Sequence, residues 1–223
     1  MTKTIVAALL CASAAIAAPA TVAAQAPSKG FTAAVTGGTL GIGPEAAFRG
    51  RHFGVRGNAT FLSVSRGFDS DDIDYDGKIK LRSAGIMLDV FPTGSGFRLS
   101  AGARTNGNRA RVVATPTAPT EVGGTVYTPT QIGTLTGRAD TKNFAPALTV
   151  GYAGGLRSGF VFGVEAGALF QGKVRIREFT SSSNFASNPA FRASLEAERR
   201  DLQDDVDDYK VYPILQFSIG YRF

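Results

Sequence analysis

After its first two dozen residues the chain has no cysteine, a single histidine and no run of about 18 apolar residues. Each absence closes off a class of function. The one cysteine, Cys11, lies in an apolar stretch from Thr4 to Ala18 that follows Lys3. Small residues come next at Val22-Ala23-Ala24. A charged start, a short apolar stretch and small residues are the pattern of a secretory signal, so residues 1–24 are expected to be removed after Ala24. Ala8-Leu9-Leu10 before Cys11 makes a poor lipobox, which argues against a lipid anchor. The mature chain, residues 25–223, then lacks cysteine, which excludes disulfides, thiol catalysis and thiolate metal sites. It also lacks a stretch able to cross a membrane as a helix.

What is present is glycine, phenylalanine and alternation. The chain holds 27 Gly and 16 Phe without a long helical pattern, as suits one all-β domain. Its last stretch, Tyr209 to Phe223, has an apolar row (Tyr209, Val211, Pro213, Leu215, Phe217, Ile219, Tyr221, Phe223) and a mostly polar or small one. A period of two over this length is a strand with one greasy face. An apolar strand with an unpaired edge invites aggregation in water. In a membrane barrel the apolar row meets lipid, the other row faces the lumen, and closure removes the edge. Tyr221 and the terminal Phe223 resemble the C-terminal signal by which the assembly machinery recognises Gram-negative outer-membrane barrels.

Alternating segments recur at about 39–49, 52–66, 78–91, 97–112, 144–153, 160–177 and 209–223. An even count asks for an eighth strand, and 29–36 supplies it through Phe31, Ala33 and Val35. Parity flips across Gly37-Gly38 to Leu40 and Ile42, as a tight turn or a bulge explains. Pro44, Pro146 and Pro213 fall inside strands, and local bulges would accommodate them. Short turns at 48–53, 91–97 and 152–160 alternate with long polar connections at 67–77, 113–143 and 178–208. This layout resembles the small eight-stranded outer-membrane barrels of the OmpA-like and OmpW-like group. The resemblance implies an antiparallel up-and-down transmembrane barrel in the cell outer membrane, with its short turns in the periplasm.

Parity also assigns the inner face. Pairing Phe48 with Phe53 across Gly50-Arg51 sets Glu45 opposite Arg56. Pairing Val90 with Phe97 sets Asp89 opposite Arg98. Asn58, Arg104, Asn106, Glu165, Gln171, Lys173, Gln216 and Arg222 share that face. Charges at membrane depth are expensive unless paired, and eight strands leave room for little beyond side chains. A lumen filled by ion pairs is expected; a narrow polar conduit or gated pair is the alternative.

Other features point less sharply. Outer-membrane barrel enzymes use a histidine base near the outer rim or in the membrane plane, whereas His52 belongs to a periplasmic turn and has no adjacent Ser or Asp. No catalytic activity and no cofactor are expected. Asp72, Asp74 and Asp76, with Gly77, match the first half of a calcium loop, but the twelfth position is Ser83 rather than Glu. Asn188-Pro189 caps a helix reaching about Asp208, with Phe191, Leu195, Leu202, Val206 and Tyr209 along one stripe and a Glu196–Arg200 pair. This short helix in the last outer loop is expected to rest over the barrel mouth or to offer a partner surface. Residues 113–143 read as an extended exposed hairpin.

Without Lys3 the chain carries 23 basic and 18 acidic residues, a net of +5. For an exported protein that balance suits lipopolysaccharide phosphates rather than nucleic acid. Parity from Ala84, Ile86 and Leu88 continues to Lys78, Lys80 and Arg82; parity from Phe97, Leu99 and Ala101 continues to Arg109 and Arg111. These five form a candidate lipopolysaccharide contact, unless a bulge near Ser83 turns the first three inward. The expected role is non-enzymatic, in envelope structure or surface interaction, by a monomer; narrow transport of small or apolar solutes is the alternative.

Overall fold

In the computed structural model, residues 30–70, 72–155 and 159–223 are described, and the expected signal at 1–24 lies outside them. Eight strands close a ring: β1 (Gly30–Gly38), β2 (Gly41–Arg49), β3 (Phe53–Ser70), β4 (Ile73–Val90), β5 (Phe97–Asn106), β10 (Phe144–Gly155), β11 (Gly159–Leu169) and β14 (Tyr212–Arg222). The remaining strands are β6 (Arg109–Pro116), β7 (Thr120–Val122), β8 (Thr125–Tyr127), β9 (Leu135–Asp140), β12 (Arg175–Ile176) and β13 (Thr180–Ser181). Two α-helices, α1 (Pro129–Ile132) and α2 (Pro189–Val206), complete the cap. Every ring pairing is antiparallel, and β14 closes on β1 from Thr32–Arg222 to Gly38–Gln216. The chain is thus all-β with an eight-stranded ring and a short helix near its C-terminus.

Period two explains the two faces. Phe31, Val35, Ile42, Phe48, Ile86, Leu88, Phe162, Phe217 and Ile219 stand exposed around the outside. Arg56, Arg222, Gln216 and Thr36 are almost wholly buried inside. At the end with short turns, Phe31, Phe53, Phe160, Tyr221 and Phe223 make an outward aromatic belt.

Several expected boundaries are corrected. The parity flip comes from a two-residue turn, Thr39-Leu40, before Gly41 at φ 102°. Leu40 is therefore 1% exposed and not on the outer row. No bulge attends Pro44: Ile42–Phe61 and Glu45–Asn58 keep one register across it. Pro146 directs its carbonyl to Phe170 N at the end of the β10–β11 ladder, so its absent N–H costs no rung. Pro213 directs its carbonyl to the Thr39 hydroxyl, beyond the last β1–β14 pair. The expected strand 160–177 ends at Leu169, and Lys173 is exposed beside Asp207 rather than inside.

At the long-loop end the sheet outgrows the ring. β3 and β4 remain paired to Ser70–Ile73, so the expected loop at 67–77 is a paired hairpin. The expected strand 97–112 is interrupted at Gly107-Asn108, where Gly107 N donates to Arg82 O and Arg82 N donates to Asn108 Oδ1. β6 then continues along β4 in the register that β5 began, but takes β9 as its other neighbour. Residues 113–143 are not a simple exposed hairpin. With α2 they enclose a second core of Val122, Tyr127, Ile132, Phe191 and Leu195. Asn188 caps α2 by accepting from the Ala190 and Phe191 amides, and Tyr127 Oη lies 2.9 Å from Ser194 Oγ. Only the first part of the α2 stripe joins this cap core, through Phe191 and Leu195; Leu202 and Val206 are half-buried and Tyr209 is exposed.

Candidate functional site: the charged lumen

The lumen is built around Arg56 on β3. Its Nη1 donates to Glu45 Oε2 at 3.2 Å, its Nη2 to Glu165 Oε2 at 2.6 Å and its Nε to Asp89 Oδ2 at 3.4 Å. Arg98 reinforces two of these acids, with Nη2 donating to Glu165 at 3.3 Å and Nη1 lying 3.8 Å from Asp89. Neutral donors finish the shell: Ser100 to Asp89 at 2.6 Å, Asn58 to Glu45 at 3.1 Å and Thr149 to Glu165 at 3.3 Å. Each carboxylate therefore meets at least one guanidinium and one neutral donor, which is what buried charge requires.

Space for these side chains comes from glycines set directly opposite them. Gly151 pairs with Glu165 and Gly85 with Arg104, and a Cβ on either would lie within 3 Å of its partner. Toward the long-loop end Leu40, Met87, Ala145, Ala147, Leu169 and Ile214 form an apolar cluster inside the ring, beside buried Thr60, Ser83, Arg104 and Asn106.

Glu45, Arg56, Asp89 and Arg98 do come together, though not in the expected registers. Glu45 stands opposite Asn58, and Asp89 opposite Ser100. Both hairpins are displaced by two residues from expectation: in the first, Gly50 N donates to Phe53 O, so the turn sits on Arg51-His52 rather than Gly50-Arg51, and in the second Val90 pairs with Leu99 across a longer loop. Glu165 is the acid that bridges both arginines; parity puts it on the inner face but names no partner for it. Its signal was a lone charge in the otherwise apolar or small run 159–169. Arg49, which parity alone puts inside beside outward Phe48, was also missed.

The other candidates lie elsewhere. His52 is exposed in the β2–β3 turn, with Nδ1 3.3 Å from Phe91 O. Asp74 and Asp76 are strand residues opposite Asp69 and Gly67, and no cluster of three metal-ligating side chains occurs among the described residues. The calcium-loop match falls on paired strand that cannot wrap an ion.

The β3–β4 ladder runs unbroken past Ser83, so no bulge turns the basic residues inward. Lys78 stands opposite Arg111, Lys80 opposite Arg109, and Arg82 opposite outward Phe61. All five are exposed, and Arg138 extends the row beyond Arg111.

No protein-family model matches the chain, and no curated protein matches it in sequence. Solved structures do. The fold is similar to that of CarO from Acinetobacter baumannii, with a TM-score of 0.58 and 19% identity over 88% of this chain and 98% of that one. CarO2 from the same organism gives a TM-score of 0.60 and 17% identity over 89% and 100% of the two chains. At such identities the likeness is one of fold.

Proposed function

We propose that this chain is a non-enzymatic outer-membrane β-barrel serving envelope structure or surface interaction, with its lumen sealed against solute flow. The observation that carries the reading is the Arg56 cluster, which spans the ring from β2, β3 and β4 to β5 and β11, with an apolar cluster on its long-loop side. An exposed apolar girdle around a charged interior favours lipid outside. The short turns then lie in the periplasm, Tyr221 and Phe223 serve as the assembly signal, and the barrel acts as a monomer. Among eight-stranded barrels, the layout keeps the OmpA-like and OmpW-like likeness as the reading of subtype.

Planar-bilayer recording tests the seal. The native barrel is expected to be silent, and a variant with Glu45, Arg56, Asp89, Arg98 and Glu165 all replaced by alanine to show frequent openings. Steady, sizeable conductance by the native protein would favour narrow transport and defeat the proposal.

The basic row supports a lipid partner at the outer interface. Like charges directly opposite one another, as Lys78 and Arg111 are, destabilise a sheet unless an anion lies over them. Phosphates of lipopolysaccharide supply that anion at the level where the apolar girdle ends. Replacing Lys78, Lys80, Arg82, Arg109 and Arg111 by glutamine is expected to lower copurifying lipopolysaccharide several-fold, and an unchanged ratio of lipid to protein counts against this contact.

A further inference from the structure

The lumen buries five arginines (Arg49, Arg56, Arg98, Arg104, Arg222) but three carboxylates (Glu45, Asp89, Glu165). Arg56 contacts all three acids and Arg98 shares two of them. Arg49, Arg104 and Arg222 form no ion pair among the described residues, and Arg104, which donates to Ser83, lies outside the cavity lined by Arg49, Arg98 and Arg222. Arg49 donates to the carbonyls of Ala153 and Ser95 and lies 3.5 Å over the Phe91 ring, while its Nε has no partner. Arg222 donates from Nε to Thr32 Oγ1 at 3.3 Å, and its Nη1 has none. Arg98 Nε is unpartnered as well.

These three arginines, each at most 4% exposed, line one cavity of about 30 Å³ at the short-turn end. A guanidinium carries donors only and does not lose its proton, so the surplus positive charge cannot be relieved by titration. The rest of the sequence offers no side-chain counter-charge: the residues outside the described ones include a single acid, Asp71, which adjoins Ser70 at the opposite end of β3. The acids that do line the cavity, Glu45 and Asp89, are already engaged by Arg56.

We propose that this cavity is an anion site, holding one small inorganic anion of the halide class between Arg49, Arg98 and Arg222. The volume admits one or two water-sized occupants, which fits a halide and leaves no room for a phosphate ester or an organic acid. Charge-assisted hydrogen bonds from the three guanidinium groups that line the cavity would hold it. The anion completes the sealed layer, because buried cations without a counter-charge are destabilising.

Crystals of the native protein grown in bromide give the direct test. An anomalous peak within hydrogen-bonding distance of the Arg222 guanidinium is the expected result, and a cavity without a peak overturns the proposal. A second measurement needs no crystal. The temperature at which the detergent-resistant barrel changes gel mobility should be several degrees higher in chloride than in gluconate at equal ionic strength. That difference should vanish in Arg222→Gln; equal midpoints for the native protein in both salts also overturn the site.

Discussion

The two interiors of this chain have opposite polarity. Inside the ring, Arg56, Glu45, Asp89 and Glu165 are buried while Phe48, Ile86 and Phe162 stand outside. In the cap, Val122, Tyr127, Ile132 and Phe191 are buried while Glu196 and Arg200 stand outside. One sequence builds both, and the proposed membrane setting accounts for the difference. In that setting water surrounds the cap, where apolar burial is rewarded. Around the ring the proposed lipid would remove that reward and leave the interior free to be polar provided every charge is matched. The boundary between the two regimes runs near Gly107-Asn108, where the outer row changes from Ala84, Ile86 and Leu88 to Arg82, Lys80 and Lys78.

The sharpest way to break the ring side is Arg56→Met. Three carboxylates would lose their shared partner, and removal of one side of a buried ion network costs about 3–5 kcal/mol. The unfolding midpoint in urea, measured in lipid vesicles, should fall accordingly, and an unchanged midpoint would mean that water reaches the cluster. The matching cut on the cap side is Phe191→Ala. Loss of a buried aromatic ring costs about 3 kcal/mol or more, but here it should fall on the cap alone. Limited proteolysis should clip the 113–143 and 178–208 segments while the detergent-resistant barrel persists. Loss of the barrel together with the cap would show that the two interiors are one cooperative unit.

What could be read from the sequence follows the same division. Alternation marks a ring strand on its own, because each face meets a uniform environment, and parity alone put Glu45, Arg56, Asp89, Arg98 and Glu165 inside. Partners were harder. A slip of two residues preserves every face, so nothing in the apolar pattern distinguishes Glu45 opposite Arg56 from Glu45 opposite Asn58; the position of the turn, on Arg51-His52, decides it. The cap was hidden for another reason. Val122, Tyr127 and Ile132 are isolated apolar residues among Thr, Pro and Gly, and their partners Phe191 and Leu195 are about sixty residues away. The α2 stripe was visible, but the surface it covers was not.

The smallest expected effect sharpens the claim that the cap is solvated. Glu196 on α2 accepts hydrogen bonds from Arg199 at 2.8 Å and Arg200 at 3.0 Å, on the outer side of the helix. The Arg199 hydrogen bond, with help from Arg200 and their charges, lowers its pKa to about 2. A carboxylate depressed in the folded state stabilises at pH values above its unfolded pKa, near 4.3, and that stabilisation drains away as pH falls through the folded value. Cap stability should therefore be flat above pH 5 and decline between about pH 4 and 2. Glu196→Gln should remove this part of the decline and weaken the cap slightly at neutral pH. The pair is exposed, so salt should shrink the difference between native and variant. Hydrogen exchange at the α2 amides, followed at low and high salt, reads both effects. A difference that is insensitive to salt would place Glu196 in a dry environment and count against the solvated cap.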